Sequence, residues 1–315
     1  MNQNYYYPYS QYLKNKYQEK VYKLPVNLPV TCPNRKEGSG CTFCSEKGTG
    51  FEAADAFLDV KAQLARSKEK VAKRYHAKKF IAYFQNYTNT FLPLSQLGEY
   101  MQQAAQVEDI VEIDISTRPD CVREDYLQYF ASFAKTSGIG VMLELGLQTV
   151  NYHTLDSINR GHGLAEFIDT VLRCYRYRIP VCVHVILNLP GDTKRDSDET
   201  ARVLSALPID CVKIHSLYIA RDSSMAEDYK AGKIEICSKE EYLDRLTSFI
   251  GLLRPEIAIE RLFSRIPEED SVFSNWGQSW WKLKDEFEAM MEEKKLRQGA
   301  LADYLDGAGL TRWGL

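Results

Sequence analysis

Three cysteines share one short segment, TCPNRKEGSGCTFC: Cys32, then eight residues, Cys41, then two, Cys44. Three thiolates on one loop suit a [4Fe–4S] cluster with three protein-held irons and a fourth iron open to another ligand. The rival is structural zinc, which normally takes four ligands. No completing ligand lies nearby, because the next histidine or cysteine is His76 and then Cys121. Gly38, Gly40 and Gly48 allow the backbone to wrap closely around a cluster, and Phe43 stands between the last two cysteines where it would shield one. The other cysteines, Cys121, Cys174, Cys182, Cys211 and Cys237, are scattered. Four or more of them read as ordinary buried residues, with no second cluster.

The rest of the chain must position that loop. Its 315 residues, 44% hydrophobic and 12% aromatic, suffice for a sizeable core in one domain, with or without an extension. The start, MNQNYYYPYSQYLKNKYQEK, is polar and tyrosine-rich and lacks the apolar stretch of a secretory signal. No apolar run approaches membrane-spanning length. A cytoplasmic protein with no membrane partner is therefore expected, and there eight cysteines point to metal binding or catalysis rather than disulfides. The net charge of −3 excludes an overall polycation, yet the stretch 61–79 carries eight Lys and Arg against the single acid Glu69. As a helix it either touches phosphates or is simply a solvated outer helix.

Candidate strands near 22–31, 80–87, 109–116, 139–147, 180–188 and 210–218 alternate with candidate helices near 55–78, 95–107, 123–136, 164–178 and 194–206. That alternation implies βαβ units and a parallel sheet. Within the strands, one face is apolar and the other chargeable: Val111, Ile113 and Ile115 against Glu112, Asp114 and Ser116, and Val183 and Val185 against Cys182 and His184. Likewise Glu144 and Gln148 oppose Leu143 and Leu145, and Lys213 and His215 share the face opposite Val212 and Ile214. A sheet covered by helices on both sides would read apolar on both faces. The pattern therefore predicts a partial (β/α)6 TIM-type barrel with a polar interior and the cysteine loop at its C-terminal mouth. Residues 1–218 form this core and 219–315 a mostly helical C-terminal extension capping it. Within the extension, 220–233 reads as a loop, 239–253 as a helix, PEIAIERL as one more short strand, and the stretch from Ser279 onward as helical.

The chain resembles the radical SAM superfamily, in its Elongator-catalytic-subunit-like branch and closest to the YhcC/YtqA-type family. The resemblance runs through YLKNKYQEKVYKLPVNLPVTCPNR, LELGLQTVNYHTLDSINRGH, LNLPGDT and VKIHSLYIARDSSMAEDYKAGK. The first gap in the cysteine motif is longer than the commonest superfamily spacing, as it is in this branch. The resemblance implies that S-adenosylmethionine (SAM) chelates the free iron. It implies that Gln85, Asn86 and Tyr87 meet the SAM amino group and that Glu144 and Gln148 face SAM. It further implies that Arg160 lies near the SAM carboxylate and that Asn188 and Gly191 pass the adenine. Two bland alternatives stay open: Glu144 as a structural carboxylate paired with Arg118, and Arg160 as a cap on the preceding short helix.

The implied chemistry is reductive cleavage of SAM to a 5′-deoxyadenosyl radical, with an electron donor such as flavodoxin or ferredoxin. The branch implies a tRNA substrate, specifically a wobble uridine whose carboxymethylaminomethyl side chain becomes aminomethyl. Lys213, His215, Asp114 and His184 are the candidates for catalysis near the radical. Tyr218 and Arg221 are placed to line the opening. Trp276, Trp280 and Trp281 read either as base-stacking platforms or as core anchors. Two other readings remain: a small-molecule substrate, as in coproporphyrinogen-oxidase-like relatives, and a non-catalytic iron–sulfur or zinc binding module.

Overall fold

The computed structural model describes residues 4–45 and 56–309. Gly48 and the expected first residue of the basic helix, at 55, lie outside the described residues. In chain order the elements are α1 (Tyr9–Tyr17), β1 (Val21–Val26), α2 (Pro33–Lys36), α3 (Val60–Tyr75), β2 (Lys79–Phe84), α4 (Leu94–Ala105), β3 (Ile110–Thr117), α5 (Glu124–Ser137), β4 (Gly140–Gln148), α6 (Tyr152–Ser157), α7 (Leu164–Arg176) and β5 (Val181–Ile186). There follow α8 (Lys194–Ala206), β6 (Cys211–His215), β7 (Tyr218–Ala220), α9 (Ser224–Lys230), α10 (Lys239–Leu252), β8 (Ala258–Arg261), β9 (Ser271–Ser274) and α11 (Trp280–Glu293).

Seven strands form one parallel sheet in the order β1-β2-β3-β4-β5-β6-β8. The sheet curls so far that Lys23 on β1 and Glu260 on β8, its two edge strands, form an ion pair at 2.6 Å. The outward faces supply the core beneath the helices: Phe84, Ile113, Leu143, Val183 and Ile214 are fully buried. Truncating one such residue to alanine costs about 2–5 kcal/mol. The inward face is layered. Ile81, Met142, Cys182, Cys211 and Ala258 make an apolar floor, against which Tyr9 and Leu13 of α1 pack. Above that floor the inward residues are charged.

The described structure differs from the sequence reading in several places, and β2 ends at Phe84 rather than near 87. The segment 27–31 leaves the sheet and leads into the cysteine loop, so β1 ends at Val26. Residues 216–218 do not extend β6; Tyr218 starts β7, which pairs antiparallel with β9 in a separate two-stranded sheet. The expected loop at 220–233 contains the helix α9, whose Met225 and Ala226 are buried. The strand within PEIAIERL becomes the seventh strand of the barrel sheet, and Leu283, Phe287 and Met291 of α11 join the main hydrophobic core. The segment before β1 also folds. In α1 the spacing of Tyr9 and Leu13, one turn apart, puts both on the buried side.

Candidate functional site

The cysteine loop leaves the C-terminal end of β1. Cys32 is the residue before α2 and Pro33 is its first residue, a position where proline's missing N–H costs nothing. Cys41 is buried, Cys32 and Cys44 are half-buried, and all three are free of disulfides. Asn34 donates to the carbonyls of Asn159 (2.7 Å) and Arg160 (3.0 Å) and lies 3.7 Å from the Cys41 sulfur. Asn159 in turn donates to the Gly40 carbonyl at 2.8 Å. Gly40 has φ +81°, and a Cβ there would meet Arg35 at 2.9 Å, so this turn requires glycine.

Three guanidinium groups surround the thiols. Arg160 places Nη1 3.6 Å from the Cys41 sulfur and donates from Nη2 to the Gly146 carbonyl at 2.7 Å. Arg118 lies 4.0 Å from the Cys32 sulfur and donates to the Arg160 carbonyl at 2.9 Å. Arg35 donates to the Cys44 carbonyl at 3.0 Å. Burial pushes the Cys44 thiol up, with Arg35 pulling the other way. Arg160 does both things the sequence left open: its backbone N–H donates to the Leu155 carbonyl of α6 at 2.9 Å, and its side chain reaches Cys41 and Gly146. Arg118 does not pair with Glu144; it holds Asp120 through two hydrogen bonds at 2.9 and 2.7 Å.

These groups open onto one cavity, whose walls include the three cysteines, Gln85, Tyr87, Glu144, Gln148, Arg160 and His184. A Cβ on Gly146 would lie 2.6 Å from Arg160 Nη2 and 2.9 Å from Gln148 Nε2, so glycine lets both side chains converge. Gln148 adopts φ +78° beside a register shift against β5. That left-handed backbone is costly for a residue with a Cβ and marks a held position.

Beneath the cavity lies a buried ionic network. Glu144 pairs with Lys23 at 2.5 Å, with Lys213 at 3.2 Å and with His184 Nε2 at 2.5 Å. Lys213 also meets Glu260 at 2.9 Å and sits 4.5 Å from the Tyr83 ring centroid, while Lys23 meets Asp114 at 2.9 Å. Burial opposes ionisation of Glu144, but Lys213, Lys23 and the His184 bond hold it well below the usual carboxylate range. Burial raises Asp114 well above that range despite Lys23, with Glu112 and Glu144 adding to the rise. His184 is lowered by burial against its bond to Glu144. His215 is lowered well below its ordinary value by burial and then by His184 and Arg261. Glu144, Cys182 and His184 present donor atoms within 4.8 Å of one another, but two lysines already neutralise that carboxylate.

The sequence candidates therefore divide. The cysteines, Gln85, Tyr87, Glu144, Gln148, Arg160 and His184 come together around the cavity. Asp114 and Lys213 belong to the network below it, and His215 stacks on His184 with centroids 5.3 Å apart. Asn86 turns away to Asn27, 2.6 Å from its side-chain oxygen. Asn188 accepts from the Leu217 backbone at 2.6 Å and Gly191 holds a turn at φ +92°; neither is among the cavity walls. Arg221 ties β7 to β9 through the Glu269 and Ser271 carbonyls. Trp276 is a core anchor, donating to the Cys237 carbonyl and packing on Tyr242, whereas Trp281 is exposed. The other five cysteines split: Cys174, Cys182 and Cys211 are buried, and Cys121 and Cys237 only partly so. Sequence reasoning missed Lys23, Tyr83 and Glu260, although strand alternation in VYKLPV sets Lys23 opposite Tyr22 and Leu24; in AIER the neighbouring Arg261 blurs the same signal for Glu260.

Residues 26–204 match the family described as the radical SAM superfamily, and 209–293 match the radical SAM C-terminal domain. Among curated relatives, the uncharacterized protein MJ0486 of Methanocaldococcus jannaschii is 32% identical over 93% of this chain and 91% of its own length. YtqA of Bacillus subtilis, also uncharacterized, is 31% identical over 96% and 94%. A more distant relative, the tRNA-2-methylthio-N(6)-dimethylallyladenosine synthase of Hahella chejuensis, is 25% identical over 64% of this chain and 45% of its own. The solved structure of an N-terminally deleted Elp3 from Methanocaldococcus infernus superposes with TM-score 0.67 at 18% identity, covering 88% of this chain and 64% of that one.

Proposed function

Because the chain belongs to the radical SAM superfamily, in its YhcC/YtqA-type family, we propose that this radical SAM enzyme acts on a tRNA wobble uridine, converting a carboxymethylaminomethyl side chain to aminomethyl. Enzymes of this superfamily use a [4Fe–4S] cluster and SAM. The residues fit both groups. The donor set is three soft thiols, and three guanidinium groups offset the negative charge of a thiolate-ligated cluster. Arg160 Nε is buried and has no hydrogen-bond partner, a donor left over for an anionic ligand such as a carboxylate.

In this reading Cys32, Cys41 and Cys44 hold the cluster, and Arg160, Gln148, Gln85 and Tyr87 orient SAM. When bound, the two groups supply a one-electron bond cleavage and a radical able to take hydrogen from an unactivated C–H bond. The electron would come from a donor such as flavodoxin or ferredoxin, in the cytoplasm. The chain's own part is positional and protic. Arg160 fixes the cavity wall through Gly146. Lys23 and Lys213 hold Glu144 ionised, and Glu144 fixes the His184 ring at the cavity. His184, kept neutral by burial, can accept or return a proton on its side of the cavity. Asp114 sits against Lys23 at 2.9 Å, with burial opposing its ionisation and Lys23 favouring it.

The observation that supports tRNA as substrate is the Hahella chejuensis relative, whose name states that it makes a modified tRNA nucleoside. Mass spectrometry of tRNA nucleosides from a strain lacking the gene tests the reading. Accumulation of the carboxymethylaminomethyl nucleoside with loss of its aminomethyl products is expected, and an unchanged wobble-uridine profile would sink it.

A further inference from the structure

A groove of about 1270 Å³ runs along the seam between the edge strands β1 and β8. This exceeds the usual ~300–1,000 Å³ of a small-molecule site. Its walls come from α1, α3, β1 and β8. In a chain of net charge −3, its lining is cationic: Lys14, Lys20, Lys23, Arg66, Lys70, Arg261 and Arg265, against the acids Glu19 and Glu260. Lys14, Lys20, Arg66, Lys70 and Arg265 are exposed. Arg66 and Lys70 stand one turn apart on α3, separated by about 6 Å along its axis.

Aromatic rings share these walls. Tyr22 and Tyr75 stack with centroids 4.6 Å apart, and Lys20 lies over Tyr22. Outside the walls, the groove residue Arg265 lies 4.1 Å from the ring centroid of the partly exposed Trp280. Cations interleaved with aromatic faces are the chemistry that tracks a phosphodiester chain and stacks its bases. On the groove floor, Lys23 and Glu260 reach the same network that holds Glu144 in the cavity wall. One layer of ion pairs separates the groove from the cavity.

We propose that this groove docks the backbone of an RNA substrate. The proposal rests on the RNA reading above and adds the place of docking. The test is fluorescence anisotropy of the anaerobically reconstituted holoenzyme with an end-labelled tRNA transcript, over a range of salt concentrations. Arg66→Glu/Lys70→Glu is compared with a control of equal charge change on α5 and α7, Lys135→Glu/Arg176→Glu. The groove variant is expected to bind at least tenfold more weakly, with the salt slope reduced by about two, at unchanged iron content and melting temperature, while the control binds like the parent. Equal affinities in the two variants would overturn the groove and leave the tRNA reading standing. A parent holoenzyme that binds no tRNA would overturn both.

Discussion

Arg160 and Cys41 are 119 residues apart in sequence, yet Nη1 of the one lies 3.6 Å from the sulfur of the other. The same guanidinium grips the Gly146 carbonyl. The cysteine loop and the fourth strand are thus joined through one side chain, and the cavity is the space between them.

Cys41→Ala should lose the brown cluster chromophore and reduce SAM cleavage to background after anaerobic reconstitution. The parent should bind about four irons. Iron analysis with dithionite-driven cleavage checks this, and unchanged cleavage would remove Cys41 from the site.

Arg160→Met removes a charged donor worth about 1.5–3 kcal/mol per hydrogen bond. The apparent KM for SAM should rise roughly 10- to 100-fold with the cluster retained. Gly146→Ala should act similarly, because its Cβ would lie 2.6 Å from Arg160 Nη2. A normal KM in Gly146→Ala would mean that the arginine is not held in place by that close approach.

Lys23→Met leaves Asp114, Glu144 and Glu260 without one shared cation. Breaking a buried pair costs about 3–5 kcal/mol, and the denaturant midpoint should fall accordingly. A variant as stable as the parent would show that water reaches this network.

The buried histidines set an acid limit. The folded values of His184 and His215 lie below their ordinary ones. Their contribution to stability is therefore complete above the unfolded value of about 6.5 and is lost as pH falls below it. The groups facing His215 are His184, Arg261, Lys213 and Glu144. His215→Gln should flatten the stability curve below about pH 6.5. An unchanged slope would place the titration on His184 alone.

Alternation made the barrel legible. VEIDISTR and VCVHVILN each put their chargeable residues on one face, and those faces line the interior. The same logic did not reveal Lys23, because its strand shows one inward charge flanked by Val21 and Pro25. Its partner Glu260 arrives 237 residues later. Loops were harder. The strand expected near 80–87 ends at Phe84, so Gln85, Asn86 and Tyr87 stand beyond it, and nothing in the sequence says that the middle one turns to Asn27. The helix α1 hid in a polar arm, because its buried stripe includes tyrosine and only gains meaning against the barrel floor.

The ties that hold the cysteine loop have an order in time. Asn34 binds the carbonyls of Asn159 and Arg160, and Arg118 binds the second of these. During synthesis the loop emerges early, but its anchors appear only when β4 and α6 have followed it. The loop and its anchors therefore come together only after the chain has been made through β4 and α6, so the site's geometry depends on contacts more than a hundred residues long.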